Sequence, residues 1–149
     1  MNEPLLHSPA DVFRRMLIAL GKGVNPDASP VGAWPIYCGK EPNLPDNVIT
    51  VYNDVGQESG RVMQGDQIQY PGFQIRLRAV SEVVGYPKLS NIAVALDNNT
   101  NRVNVTMPDT TTYRINWVER DKIIPLNQND PTSRLYLFTL SGYMSIVKT

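Results

Sequence analysis

The sequence predicts one α+β domain, a mainly antiparallel sheet of about six strands with two helices packed on it. Two segments carry apolar residues at helical spacing, one near the N-terminus and one in the middle of the chain. Elsewhere short stretches alternate apolar and polar side chains between clusters of Pro, Gly and Asn. Helices and strands do not alternate regularly, which argues against a parallel α/β sheet. The 149 residues, 42% hydrophobic and 19% charged, suit a single domain spanning 1–149 with one core.

The first helix is expected from about Ser8 to Lys22. Ser8 suits the N-cap, Pro9 the first helical position, and Asp11 the first turn, where negative charge favours the helix dipole. Val12, Phe13, Met16, Leu17 and Leu20 form one apolar stripe, Asp11, Arg14 and Arg15 lie off it, and Gly21 and Gly23 end the helix. Trp34 to Gly39 reads as a short strand, placed at an edge by Pro35. Asn47 to Val55 is a second strand. In a third, Phe73, Ile75, Leu77 and Ala79 alternate with Gln74, Arg76 and Arg78, giving one apolar and one polar, basic face. Between these strands, 56–71 reads as a long loop. Its Val62, Met63, Ile68 and Tyr70 indicate packing on its own sheet or on another copy.

The second helix is expected over about 86–98, with Gly85 and Pro87 at its start and Leu89, Ile92, Ala93 and Leu96 facing the core. Strands follow over Arg102–Met107 and Thr111–Val118, the latter with Tyr113, Ile115 and Trp117 on one face. A short strand near Lys122–Leu126 and a longer one over Arg134–Val147 complete the sheet, with Gly142 as a bulge.

Net charge is zero, with 14 basic and 14 acidic side chains, which excludes the large basic excess of a free-standing polyanion binder. The charge is split along the chain: residues 1–75 hold 5 basic and 8 acidic groups, residues 76–149 hold 9 and 6. If the halves form different surfaces, such a split favours head-to-tail association; an accident of small counts gives the same numbers. One cysteine, Cys38, and one histidine, His7, supply neither a disulfide nor a zinc set. No nucleophile motif or phosphate-binding glycine loop is present, and Asp54, Glu58 and Asp66 lack cation-loop spacing. Catalytic residues, cofactors and metals are therefore not expected. Arg76 and Arg78 suit phosphate contact, an intersubunit ion pair or a solvated sheet face, and no run of aromatics beside them suggests a base-stacking platform. The longest apolar run near the N-terminus, Met16–Leu20, is too short for a membrane span or a signal-peptide core, so the chain reads as a protein of a cytoplasm or of something assembled there.

Several stretches occur together: a WPIY strand at Trp34–Tyr37, a strand ending in Asn53-Asp54, Gly60-Arg61-Val62-Met63-Gln64-Gly65, Pro71-Gly72-Phe73-Gln74-Ile75-Arg76-Leu77-Arg78, and a helix with Tyr86, Ile92 and Leu96. This combination resembles the minor capsid or tail-terminator proteins of tailed bacteriophages. The resemblance is close over about half of the chain and extends to element type alone after Asn99. It implies a tail-terminator-like fold and a structural virion protein without catalysis. Such proteins form a hexameric ring of self-associated copies at the head-proximal end of the tail. The ring ends the tube and joins it to the neck, around a channel through which DNA passes without sequence-specific binding. The implied partners are a neck or adaptor protein above, a tail-tube protein below, and a sheath protein if the tail is contractile; no membrane is involved. The implied location is the virion tail or neck, assembled in the host cytoplasm. Arg61, Met63, Ile68, Tyr70, Arg76 and Arg78 are then candidates for the subunit interface or channel wall. Pro87 departs from the family pattern, which runs on there as helix. A different neck, head-completion or tube-like subunit is an alternative within the same class. A small ligand-binding or enzymatic domain is an alternative outside it, and it would require a convergent polar pocket.

Overall fold

The computed structural model describes residues 5–27, 33–61, 67–126 and 134–149. These form α1 (Pro9–Ala19), β1 (Ile36–Cys38), β2 (Val48–Arg61), β3 (Gln67–Ala79), α2 (Glu82–Asn99), β4 (Val103–Thr106), β5 (Thr112–Arg120), β6 (Ile124–Pro125) and β7 (Tyr136–Lys148). The strands make one sheet in the order β1-β2-β3-β7-β5-β4, with β6 pairing β7 beyond the end of β5. The sheet is mixed rather than purely antiparallel, because β1 runs parallel to β2. A parallel neighbour requires the chain to travel back before the second strand begins. Residues 39–47 make that return across one face of the sheet.

Both helices pack on the other face. Val12, Phe13, Met16 and Leu17 of α1 and Leu89, Ile92, Ala93 and Leu96 of α2 are buried against Ile49, Val51, Phe73, Ile75, Leu77, Leu140, Met144 and Ile146. Phe13 stacks on Phe73 with ring centroids 4.1 Å apart. The apolar sides of α1, α2 and β3 are those given by the periodicity. Arg14 is the exception on α1: it lies off the stripe and is nonetheless 8% exposed. Its guanidinium meets Asp11 at 2.8 Å and the carbonyl of Ile36 at 3.2 Å, so β1 covers it without leaving the charge unpaired.

Three expectations about local structure are corrected. First, 56–61 and 67–71 are strand, not loop: β2 and β3 continue as a hairpin, with register shifts between Asp54 and Gln57 and between Gln57 and Gly60. Each shift adds one residue to β2, which hides the alternation that marks a strand. Second, α2 begins four residues early, at Glu82. Ser81 is its N-cap and accepts the Val84 N–H, while Gly85 and Pro87 lie inside the helix. Pro87 cannot bond the carbonyl of Val83, but Val83 is 83% exposed and water can take the donor's place. Third, Gly142 is not a bulge; it pairs in register with Phe73 and Arg120. A Cβ there would collide with the Glu119 carbonyl and meet the Phe73 ring at 3.0 Å, so glycine serves close approach of strands.

Candidate functional site

The sheet face without helices carries Thr50 and Tyr52 of β2, Ile68, Tyr70, Gln74, Arg76 and Arg78 of β3, and Thr139, Ser141, Tyr143 and Ser145 of β7. Strand alternation places them there, opposite the buried Phe73, Ile75 and Leu77. On β5 the alternation is broken. A register shift between Ile115 and Trp117 makes Asn116 an extra residue, so Ile115 stays in the core while Trp117 turns to the open face beside Ser145. This corrects the expectation that Tyr113, Ile115 and Trp117 share a face.

The result is a row of aromatics from three strands. Tyr70 stacks on Trp117 at 5.9 Å between centroids, and Trp117 meets Tyr143 edge-on at 5.6 Å. Trp117 is 40% exposed. No sequence run announces this group, because its members are far apart in the chain. An alternation count that allowed one bulge in β5 would have found Trp117. Tyr143 follows from the even spacing of Ser141, Tyr143 and Ser145 on β7.

The two arginines divide in role. Arg78 is buried, and its guanidinium donates to the carbonyls of Asn43 at 3.0 Å, Pro45 at 2.7 Å and Asp46 at 3.3 Å, with Glu41 at 3.7 Å. It clamps the return segment 39–47 to the sheet, so its charge is spent inside its own chain rather than offered to a neighbour or a channel. Arg76 is about one-third exposed and lies 3.6 Å from the same Glu41. It borders the open face with part of its charge still available. Burial, then the nearby Glu41 carboxylate, push the Tyr52 phenol up, so it remains a neutral hydroxyl beside this pair. Glu41, absent from the expected set, organises both arginines.

Ile68 is half-buried near the hairpin end, opposite Gly60, and Arg61 closes the described part of β2 opposite Gln67. Met63 lies outside the described residues, as do Val62 and Asp66. At the base of the hairpin Val55 is 91% exposed, with its N–H turned back to the carboxylate of Asp54.

His7 Nδ1 lies 2.9 Å from the Tyr113 hydroxyl and Nε2 3.2 Å from Asp109. Burial pushes the Cys38 thiol up, with Asp11 adding to it, which disfavours the reactive thiolate. Among the described residues, no three of His, Cys, Asp or Glu gather to hold a metal. A pocket of about 200 Å³ between α1 and β4 is lined by Arg15, Ile18, Ala19, Asn25, Asn104, Val105 and Thr106, without a nucleophile and base in it. No described helix is long and apolar enough to cross a membrane.

No protein-family model and no curated protein matches this chain.

Proposed function

We propose that this protein is a structural subunit of a tailed-phage virion, forming a ring at the head-proximal end of the tail that ends the tube and joins it to the neck. The observation that carries the reading is the sheet face without helices, where Trp117, 40% exposed, and the half-buried Tyr70 and Tyr143 form an aromatic row beside the β2–β3 hairpin. Aromatic side chains offer large contact area at little conformational cost, and they are enriched in the buried centres of protein interfaces. Arg76, farther along β3 on the same sheet face, supplies a partly exposed charge for a contact between copies. The reading is also supported by the zero net charge, which leaves no long-range repulsion between copies. Head-to-tail contacts close into a ring when the rotation per subunit permits.

The test is the mass of the purified protein by light scattering, with negative-stain imaging of the same peak. A mass near six chains and ring-shaped particles support the reading. A monomer that also fails to bind tail tubes when mixed with them overturns it.

A further inference from the structure

The helix-covered side of the molecule holds a second polar cluster, at the junction of α1, α2 and the segment before β1. Helix α1 ends in a Schellman turn: the Gly21 N–H bonds the Ile18 carbonyl at 3.0 Å, and the Lys22 N–H bonds the Leu17 carbonyl at 3.0 Å. Gly21 has φ 76°, which a side chain would resist, and this turn fixes where Lys22 leaves the helix. From there Lys22 Nζ reaches α2 and donates to Asn91 Oδ1 at 2.9 Å. One turn earlier on the same face of α2, Lys88 Nζ lies 5.8 Å from the centre of the Trp34 ring.

Trp34 itself is held in the left-handed region at φ 59°. The surrounding backbone imposes this: the Val24 N–H bonds the Trp34 carbonyl at 3.1 Å, and the Ile36 N–H bonds the Val24 carbonyl at 3.0 Å. A bulky residue in this conformation is strained, and such strain persists where the surrounding structure over-determines it, often at ligand sites. The cluster therefore brings two ammonium groups together on a braced platform, and among the described residues neither makes an ion pair. Burial, with the charge of Lys22 beside it, pushes the Lys88 ammonium down, the condition a bound anion would relieve. With Oδ1 taken by Lys22, the Asn91 amide presents its N–H₂ away from that bond.

We propose that Lys22, Lys88 and Asn91, backed by Trp34, form a binding site for a single phosphate group. Two compact ammonium charges and an amide donor match the spread-out negative charge of a phosphate. The indole wall keeps the Lys88 side close to apolar surface, which strengthens the attraction over that of open lysines. The phosphate comes either from solution or from a nucleic-acid backbone passing the molecule; the chemistry recognised is the same. The site lies on a different face from the aromatic row and does not depend on ring formation.

Titration of ¹⁵N-labelled protein with inorganic phosphate, at constant ionic strength set with chloride, tests it by NMR. Saturable shifts are expected at the Trp34 indole N–H and the Asn91 side-chain amide, with the Trp117 indole unmoved. Lys88→Gln and Lys22→Gln, both at partly exposed positions, are each expected to weaken binding about tenfold, the scale of losing one charged hydrogen bond. Retained dispersion of the amide spectrum verifies that each variant is folded. A short duplex oligonucleotide that saturates the same resonances at lower concentration assigns the phosphate to nucleic acid; tighter binding of inorganic phosphate assigns it to solution. Shifts that do not saturate, binding by both lysine variants as tight as that of wild type, or tighter saturation by acetate than by phosphate each overturn the proposal.

Discussion

Asn53 of β2 caps helix α1 from 43 residues away: its Oδ1 accepts the Ala10 N–H at 2.9 Å. Its Nδ2 donates to Ser8 Oγ at 2.9 Å, and Ser8, the N-cap by position, makes no side-chain bond to the helix itself. The cap thus ties the helix start to the sheet, and it serves folding and docking of α1 together. Asn53→Ala is expected to cost about 1 kcal/mol, the usual cost of a lost N-cap. Asn53→Asp is expected to cost less, since it keeps the acceptor and adds a negative charge at the positive end of the helix. Urea unfolding of both variants checks the order, and equal midpoints for Asn53→Ala and wild type would show that the bond contributes nothing.

The cap explains why the start of α1 was legible in the sequence while its partner was not. Ser8, Pro9 and Asp11 are local signals, and local signals are what periodicity and capping rules read. Asn53 lies on a strand, and only the fold brings it there. The same division runs through the molecule. Phe73, Ile75, Leu77 and Ala79 alternate without interruption, so β3 could be read in that stretch. Bulges in β2 and β5 interrupt alternation, so the hairpin reads as a loop in the sequence and Trp117 reads as sharing a face with Tyr113 and Ile115. The aromatic row and the clamp of Arg78 on 39–47 are relations between distant segments, which no window along the chain contains.

Arg78→Met tests that clamp. The substitution fills similar volume but leaves the carbonyls of Asn43, Pro45 and Asp46 without their donor. A loss of about 3 kcal/mol is expected, in the range for breaking a buried charged network. The assembly state of the folded fraction is expected to stay as in wild type. A variant of unchanged stability that no longer assembles would restore Arg78 to the interface and remove it from the clamp.

Trp117→Ala separates the open face from the core. Its contacts with Tyr70 and Tyr143 are aromatic pairs at a partly exposed position, so the expected stability loss is about 1 kcal/mol. Loss of assembly or tube binding is expected to be larger, at least about thirtyfold, as for an interface anchor. Sedimentation with tail tubes measures the second quantity and thermal unfolding the first. Equal binding by Trp117→Ala and wild type would move the contact surface elsewhere.

Acid stability should show the Asp97–Arg120 pair. Arg120 donates to both carboxylate oxygens of Asp97, at 3.0 and 2.7 Å, and this hydrogen bonding holds the Asp97 carboxyl below its ordinary value near 3.8. A depressed carboxyl stabilises the fold above its unfolded pKa, and the contribution is lost as pH falls through the folded value. Because Asp97 is 44% exposed, solvent screens the pair and the contribution is about 0.5 kcal/mol. Arg120→Gln should therefore unfold at lower urea than wild type at pH 6. The gap should close below the ordinary carboxylate range. A gap that persists unchanged at pH 2 would assign it to packing of the arginine stem instead.

The hairpin gives the most direct separation of fold from function. Gln57 and Tyr70 face each other across β2 and β3, so joining them through Asn-Gly in place of residues 58–69 leaves a two-residue turn of the favoured type. Among the described residues, the buried core lies outside the deleted segment, and pairing of β3 with β7 is retained from Gly72 through Ala79. The shortened protein is expected to fold, with a melting temperature within several degrees of wild type, because a shorter loop costs less entropy to close and offsets the lost strand pairs. It keeps Tyr70, Trp117 and Tyr143 but loses the outer part of the β2–β3 hairpin, the arm of the molecule. If the arm engages the tube, the variant forms rings by imaging and no longer pelletes with tubes. If rings themselves fail to form while the monomer stays folded, the arm belongs to the contact between copies. A variant that assembles and caps tubes as wild type does would leave the aromatic row alone as the functional surface.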